Sequence, residues 1–524
     1  MQSSEPLTSR DGRAGLISWD ELVLWLAVLI NAAVVITVRY FPYTDTTNHL
    51  ARYVILSEIW RGNPPFSAEF RLLPTGYIGM DVIGALLAGL LPPLAVQRIV
   101  SLVAVSLTPI AMYMLLRAKA PAARGWAVVG ALLAFNWFLL IGFTAYSIGV
   151  GLAILWIAGW WKHRHRPSAA GRILLIAGAL ALYSVHLSAA AVILVVVSID
   201  TVLRLAPQRF DLRHAMRDGP ACTGAAVILA LGALWLTGKM IAPPGPLPAY
   251  EMHVRSAWSK LTHVFAPFYS FSPIQAAVLA GSYLLSLVLF GIRHGLAWKR
   301  DPIVVAGFAL FVLYLVFPAT FMGAEDADVR FVLPALLLLF AGPVRGVRPK
   351  RFDLLVPLLG CLLHTGIVWH RAVAIDRELA DMATILDLLP ARSNVLPLVS
   401  DQRRNGRIPA YRHFVQWHTI NRQGRAPALF SGNGYGQHLA HFWIPDPLYH
   451  PGDHWGTRDF HALAWDRIRE QYEFILQAGA DARASTLIME QAEPVARRGD
   501  VTLYRVRSGA PPGTTAGGRE SGRQ

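Results

Sequence analysis

The chain has 524 residues, of which 54% are hydrophobic and only 15% are charged. Typical soluble domains carry about 25% charged residues, so this composition excludes an ordinary soluble domain and indicates an integral membrane protein. The formal net charge of +15 would suit nucleic-acid binding, but the cations cluster in loops between apolar blocks, and no nucleic-acid partner is predicted. Both cysteines, Cys222 and Cys361, lie inside apolar blocks, so no disulfide framework is predicted.

Apolar blocks that suit membrane spans recur from residue 19 to residue 370. The first lacks a small-residue cleavage site, so we interpret it as a retained anchor after a short cytoplasmic leader, residues 1–18. A shorter block from Met80 to Ala95 contains Asp81 and two prolines, and there we predict a re-entrant or interfacial helix, or the first part of the next span. About 11 spans are predicted, at residues 21–38, 97–116, 125–141, 146–161, 173–185, 188–203, 220–238, 273–291, 302–320, 331–343 and 354–370.

The connections between spans alternate in charge. Five are rich in Lys and Arg, whereas the short connections near residues 142–147, His186 and residues 322–329 contain neither. Cationic loops are retained on the cytoplasmic side, where they face anionic lipid. The alternation predicts a cytoplasmic N-terminus and a C-terminal domain on the outer, extracytoplasmic side.

A polar segment from Tyr43 to Tyr53 follows the first span directly. If it is helical, Asp45, Asn48, His49 and Arg52 fall at positions i, i+3, i+4 and i+7 and share one face. An amphipathic helix at the membrane surface would turn this carboxylate inward, which makes Asp45 a candidate for chemistry and Asn48 and His49 candidates for substrate binding. The alternative is that Asp45 caps the helix, since Asp is a favoured N-cap residue, and the two roles are compatible.

The outer loop of residues 239–272 interleaves aromatic and polar residues, among them Glu251, His253 and Lys260. This mixture suits sugar stacking and contacts to a lipid phosphate. It equally suits an interfacial belt, because Trp and Tyr favour that depth. His186, between two spans, is a further candidate, since ionisable groups in membrane regions are often functional.

Residues 371–508 are more polar and predict a small extracytoplasmic α/β domain, followed by a disordered tail at residues 509–524. The His and Asp residues between positions 441 and 454 show no metal-ligand spacing, so no metal site is predicted there. The predicted elements are helices at Arg371–Leu389 and Trp465–Gln477 and strands at Asn394–Ser400, Ala484–Met489 and Val501–Val506.

Three short motifs carry a resemblance to a known family. They are His49-Leu-Ala-Arg52 after Asp45, Ile141-Gly-Phe-Thr-Ala-Tyr-Ser-Ile-Gly149, and Asp328-Val-Arg-Phe-Val-Leu-Pro334 at the opening of a span. With the long outer loop at residues 39–78 and the outer C-terminal domain, the chain resembles bacterial members of the GT-C superfamily of membrane glycosyltransferases. The expected fold is an α-helical polytopic bundle over residues 19–370 with a small C-terminal α/β domain, in the bacterial inner membrane.

The resemblance implies transfer of a sugar from a polyprenyl-phosphate-linked donor to a glycan, lipid or protein acceptor at the outer face. Asp45 would be the general base. A cation would stabilise the leaving lipid phosphate. The outward candidates are Arg52, Arg71, Lys260 and Arg330, of which Arg52 has Asp45 or Glu58 as alternative partners. Arg330 has as alternatives a local ion pair with Glu325, Asp326 or Asp328 or a lipid headgroup contact. Asp328 is itself a candidate substrate contact.

The first outer loop lacks one feature of many GT-C enzymes, a pair of adjacent acidic residues, because Thr46 follows Asp45. A divalent metal is therefore possible but unsupported by a motif, and no cofactor is predicted. The rival interpretation is a non-enzymatic transporter, a lipid-handling protein or a scaffold. A transporter would need ionisable groups near mid-membrane, whereas the acidic residues here gather in outer loops.

Overall fold

The computed structural model describes most of the chain, and the bulk of it is helical. The described residues are 18–72, 78–164, 168–208, 219–240, 253–295, 301–321, 324–342, 346–399, 408–427, 429–430, 442–443, 463–479 and 481–507. The predicted leader except for Ser18, the predicted tail, the loop residue Glu251 and the His and Asp residues at 441–454 lie outside them.

The helices in chain order are α1 Trp19–Thr37, α2 Thr46–Trp60, α3 Phe66–Glu69, α4 Gly79–Leu90, α5 Pro93–Lys119, α6 Val128–Leu132, α7 Trp137–Leu140, α8 Thr144–His163, α9 Ala169–Val185, α10 Leu187–Leu205, α11 Gly219–Met240, α12 Ala257–His263, α13 Pro273–His294, α14 Pro302–Val316, α15 Val332–Leu339, α16 Arg351–Leu386, α17 Gln416–Arg422, α18 Trp465–Gln471 and α19 Ala482–Met489. Short 3₁₀ turns occupy Pro121–Ala127, Ala206–Gln208, Ala266–Phe268 and Val329–Phe331. The strands are β1 Arg71–Leu72, β2 Val395–Val399, β3 Phe442–Trp443, β4 Phe474–Ala478, β5 Ala492–Arg498 and β6 Val501–Val506.

The chain is a multi-pass membrane protein. Eight helical segments of the described residues are long and apolar enough to cross a bilayer, and four shorter apolar helices accompany them. Each of the 11 predicted spans coincides with one of these segments. The span predicted at 125–141 is interrupted between α6 and α7, because Asn136 starts a new helical turn and its side chain accepts a hydrogen bond from Leu139 N.

The block at Met80 to Ala95 is divided between two helices. Leu91 is extended after the last residue of α4, and the proline pair then starts α5, since proline fits the first turn of a helix. Helix α4 packs against α2, where Gly84 lies directly on the ring of Tyr53. The short apolar block therefore forms a layer with the outer-loop helix.

Helix α2 is more buried than an amphipathic surface helix would be. Most of its residues are buried, because α4 covers one side and α17 of the C-terminal region covers another. The polar face of α2 meets protein. The predicted position of this helix at the membrane surface stays a prediction.

Helix α16 links the membrane bundle to the C-terminal domain without a break. It has 36 residues, so it extends about 54 Å, and its C-terminal part packs on β5 and β6. The predicted boundary between residues 370 and 371 falls inside this helix. The division into domains at that point stays a prediction.

The C-terminal region contains a four-stranded sheet in the order β2-β4-β6-β5. Strands β2 and β4 are parallel, whereas β6 is antiparallel to both β4 and β5. The strands predicted at 394–400 and 501–506 are confirmed. A β5–β6 hairpin turns at Gly499, whose φ of 54° suits glycine.

Two element predictions in this region were wrong. Residues 484–489 belong to helix α19, because Asp481 caps it through Ala484 N (3.0 Å) and the buried Ala484 and Ile488 lie one turn apart. The helix predicted to reach residue 477 ends at Gln471, and the fully buried strand β4 follows it. A strand buried on both faces lacks the alternation that distinguishes strands from helices in a sequence.

The C-terminal region and the first outer loop share one hydrophobic core. This core joins Val34 of α1, Leu50 of α2, Ile375 of α16 and Val415 just before α17. Polar contacts reinforce it, since the Asp376 carboxylate accepts hydrogen bonds from Arg39 N (3.3 Å) and Tyr40 N (2.6 Å). The first outer loop is thus held between the bundle and the C-terminal region.

Candidate active site

Asp45 occupies the N-cap position of α2, but its side chain makes no capping hydrogen bond. Its backbone N–H donates to Ile141 O at 3.1 Å. The neighbouring Gly142 has φ +94°, and a Cβ added there would lie 2.5 Å from Asp45 N. The motif at 141–149 therefore fixes the backbone of Asp45 and leaves its carboxylate available.

The surroundings of Asp45 make its carboxyl group a weaker acid than usual. Its side chain is only 14% exposed. The pKa of Asp45 is raised from 3.8 to about 7, mainly by burial; the positive charges of Arg412 and Arg330 oppose this rise, and the negative charge of Glu325 adds to it. A carboxylate with such a pKa can accept a proton at neutral pH.

His413 lies against this carboxylate. Its Nε2 is 3.4 Å from Asp45 Oδ1. Its Nδ1 is 3.3 Å from Nδ2 of Asn48, and the Oδ1 of Asn48 accepts a hydrogen bond from Phe430 N at 2.8 Å. The ring of Phe430 also meets the rings of His49 and His413 edge-on. Burial, together with the electrostatic effects of Arg412 and His49, keeps the pKa of His413 well below 6.5.

Arg330 is the predicted cation that the structure brings towards Asp45. Its guanidinium lies over the ring of Phe143, 4.7 Å from the centroid, and donates to Glu325 O at 2.9 Å. Tyr146 holds its backbone through a hydrogen bond to Arg330 O (2.7 Å). Arg330 Nε is buried and has no hydrogen-bond partner among the described residues. All three motifs of the sequence resemblance thus converge on one site.

Arg52 is held away from the Asp45 carboxylate by an ion pair. Its Nη2 donates to Asp81 Oδ2 of α4 at 2.8 Å, and its side chain is 4% exposed. It therefore fastens α4 to α2. Asn48, also predicted to contact substrate, is fully buried and bonds to protein as described above.

Lys260 and Asp328 bind each other. Lys260 Nζ donates to Asp328 Oδ2 (2.6 Å) and to the carbonyl oxygens of Tyr314 and Phe317 (2.7 Å each). Arg255 adds a second cation at Asp328, 3.2 Å from Oδ2. This buried cluster anchors residues 253–263 on the bundle.

The other predicted substrate contacts lie in different places. His253 is exposed, and its carbonyl accepts hydrogen bonds from Ala319 N and Thr320 N. Arg71 is exposed on β1, paired in register with Trp443 of β3. His49 is partly buried next to Phe430, and Glu251 lies outside the described residues.

His186 lies next to the same site. Its ring meets Tyr146 at 5.4 Å, and its Nδ1 accepts a hydrogen bond from Ser188 N (3.1 Å) at the start of α10. Burial, together with the electrostatic effects of Arg330 and His49, keeps the pKa of His186 well below 6.5. It is a neutral group that lines the site and caps a helix.

Arg412, His413 and Phe430 were missed by the sequence analysis. They lie in irregular segments far along the chain from Asp45, without a motif or a periodic pattern to mark them. Arg412 Nε, like Arg330 Nε, is buried and has no hydrogen-bond partner among the described residues. Its proximity to Asp45 follows only from the three-dimensional fold.

Within the part of the chain that the structure describes, no group of three or more His, Cys, Asp or Glu side chains is arranged to hold a metal ion. The Asp45 site offers a carboxylate, neutral imidazoles and guanidinium groups. Such a set suits proton transfer next to an anionic leaving group.

Two solved proteins share this architecture. ArnT from Cupriavidus metallidurans, in its apo state, matches with a TM-score of 0.52 and 13% identity over 94% of this chain and 98% of that chain. A mutant of the arabinofuranosyltransferase AftD from mycobacteria matches with a TM-score of 0.50 and 14% identity over 95% of this chain. This chain spans only about two fifths of AftD, 42% in that structure and 40% in another at a TM-score of 0.49.

No protein-family model matches the chain, and no curated protein matches it. ArnT and AftD are both GT-C-type membrane glycosyltransferases. The predicted fold class is therefore confirmed: the chain has the GT-C fold, a polytopic helical bundle followed by a small C-terminal sheet.

Proposed function

We propose that this chain is a membrane glycosyltransferase that moves a sugar from a polyprenyl-phosphate-linked donor to a glycan, lipid or protein acceptor at the outer face. The observation that carries the proposal is the environment of Asp45. This residue occupies the N-cap position of α2 without a capping hydrogen bond, and its carboxylate lies near the guanidinium groups of Arg330 and Arg412. The GT-C fold supports the same reaction class. Function by fold analogy alone would be weak, so the residues of the site carry the argument.

Asp45 would act as general base. It takes the proton of an acceptor hydroxyl while that oxygen attacks the anomeric carbon of the donor sugar. The bond from this carbon to the phosphate oxygen breaks, and the phosphate keeps the electron pair. A base works best when its pKa lies near the working pH, and the pKa of Asp45 is about 7.

Arg330 and Arg412 would stabilise the lipid phosphate as it leaves. Charge-assisted hydrogen bonds from guanidinium groups suit phosphate oxygens. Both have a buried Nε without a described partner. Arg52 and Lys260 are already bound to Asp81 and Asp328, so we assign them to holding the site in place. We retain His49, Arg71 and His253 as proposed substrate contacts.

The test is a mass-spectrometric comparison of envelope glycans and glycolipids in a deletion strain. The strain is complemented with the wild-type chain, Asp45→Asn or the control Asp466→Asn at matched membrane expression. Asp466 is a suitable control because its side chain is 91% exposed. We expect the wild type and the control to restore a sugar-bearing product and Asp45→Asn to reduce it at least 100-fold, the lower range of a general base.

Two outcomes would contradict the proposal in different ways. Restoration by Asp45→Asn would remove Asp45 from the role of base. Identical glycans and glycolipids with and without the wild-type chain would instead favour the rival, a transporter, lipid-handling protein or scaffold.

A further inference from the structure

We infer that His413 is a positioning residue for Asp45, and that Asn48 and the Phe430 backbone fix it in the one neutral form that donates to the carboxylate. The inference rests on the proposed role of Asp45 as general base. It adds that a residue of the C-terminal region positions this base. Its central residue, His413, is indicated by neither the sequence motifs nor the structural comparisons.

The first step is the orientation of the Asn48 amide. Phe430 N donates to Asn48 Oδ1 at 2.8 Å. A backbone N–H requires an acceptor, so the amide oxygen must face Phe430 and the amide nitrogen must face the ring of His413. This nitrogen, Asn48 Nδ2, lies 3.3 Å from His413 Nδ1.

The second step is the tautomer of His413. An amide NH₂ only donates, so His413 Nδ1 must accept and carries no proton. His413 is neutral at pH 7, since its pKa is well below 6.5. The single ring proton is therefore on Nε2, the atom that lies 3.4 Å from Asp45 Oδ1.

The third step is the effect on Asp45. A donor facing a carboxylate favours its charged form and fixes its rotamer. The other charged or titratable groups near the pair are Arg412 on the same segment, His49 on α2, and Glu325 and Arg330 before α15. His413 is neutral, so a proton donated from its Nε2 would stabilise the Asp45 carboxylate without adding a charge that would compete with the donor phosphate.

The test measures the protonation of Asp45 without a sugar substrate. Dicyclohexylcarbodiimide modifies protonated, poorly solvated carboxyl groups, and peptide mass spectrometry gives the modified fraction of Asp45 in the full-length purified protein at each pH. In the wild type we expect modification to fall with rising pH, with a midpoint near the pKa of about 7.

Three substitutions of His413 separate donation from packing. His413→Phe keeps a ring but removes the donor, and we expect the midpoint to move up by about one pH unit. His413→Asn places its amide near Nδ1 and cannot reach Asp45, so the same shift is expected. His413→Gln places an amide donor near Nε2 and should stay close to the wild type. The control is His418→Phe, because His418 is also buried but bonds to Ser393.

The same variants should change transfer in a pH-dependent manner. A one-unit shift lowers the ionised fraction of Asp45 at pH 7 roughly fivefold, so His413→Phe should lose about that factor at pH 7 and recover at pH 9. A purely structural role would lower transfer equally at all pH values. The inference would be overturned if the pH midpoint of Asp45 modification were unchanged in all three variants. It would also be overturned if His413→Gln shifted this midpoint as much as His413→Phe.

The two proposals can fail separately. If the midpoint moves as expected but no sugar is transferred, the glycosyltransferase proposal fails and the positioning of Asp45 stands. If transfer depends on Asp45 but the substitutions of His413 leave the pH midpoint of Asp45 modification unchanged, only the inference about His413 fails.

Discussion

Asp45 gives up a stabilising interaction that its position would normally provide. An Asp at a helix N-cap contributes roughly 1 kcal/mol through its hydrogen bond to the first turn. The Asp45 side chain does not make this bond, and its carboxylate is mostly buried next to a neutral imidazole. Strained or poorly solvated groups of this kind concentrate at functional sites, where stability is exchanged for reactivity.

We therefore expect Asp45→Asn to stabilise the protein in a pH-dependent way. The folded state raises the pKa of Asp45 from 3.8 to about 7, so it opposes ionisation. The wild-type chain should lose stability as pH rises from about 4 to about 7, and the neutral variant should not. The full difference above pH 7 is at most of the order of 4 kcal/mol.

Thermal unfolding in detergent at pH 5 and pH 8 checks this prediction. Asp45→Asn should raise the melting temperature at both values, and more at pH 8. Asp466→Asn serves as control, since its carboxylate is exposed. An equal gain of Asp45→Asn at both pH values would show that the folded state does not raise the pKa of Asp45.

The loop between α7 and α8 is the element that brings the motifs together. Its backbone carbonyl at Ile141 receives the Asp45 N–H, its Phe143 lies under the Arg330 guanidinium, and Tyr146 of α8 holds the Arg330 backbone. One short segment thus sets the distance between the proposed base and the proposed phosphate ligand. A change of about 1 Å in such a site can cost a large factor in rate.

Gly142→Ala tests this loop directly. The new methyl group would stand 2.5 Å from Asp45 N and 2.9 Å from Asp45 Cα, at a φ of +94° that L residues rarely adopt. We expect a loss of about 2 kcal/mol or more in stability, and a loss of transfer larger than tenfold because Asp45 must move. Gly159→Ala is the matched control, since nothing lies within 4 Å of its added methyl group and helix α8 favours alanine. Full activity of Gly142→Ala would mean that this loop does not position the base.

The sequence predicts the membrane elements much better than the site. Every predicted span coincides with an apolar helical segment, because burial in lipid demands long apolar stretches. Asp45 was proposed because it begins a polar segment directly after the first span, and Arg330 because it lies within a short motif. His413 was not, since it meets Asn48 across 365 residues of sequence. Similarly, Arg52 was predicted to bind phosphate because the sequence does not reveal its buried partner Asp81.

The site lies where three parts of the chain join. The first outer loop supplies Asp45, the bundle supplies Arg330, and the C-terminal region supplies Arg412 and His413. A shared hydrophobic core, the ion pair Glu69–Arg425 (2.8 Å) and the β1–β3 pairing hold these parts together. The C-terminal region is thus part of the candidate site as well as a cover for it.

The orientation of the chain decides which compartment this site faces, and helix α16 allows a direct test. Its 36 residues extend about 54 Å, well beyond a hydrocarbon core of about 30 Å, so its two ends lie on opposite sides. Arg351 is exposed at one end, and Glu493 is exposed on β5, the strand that packs on the other end.

If the basic loops are cytoplasmic, a membrane-impermeant maleimide should label Glu493→Cys in intact spheroplasts and Arg351→Cys only after permeabilisation. The wild-type chain, whose two cysteines lie in α11 and α16, gives the background. The reverse labelling pattern would place Asp45 on the cytoplasmic side, and a polyprenyl-linked donor would then have to be used at the inner leaflet.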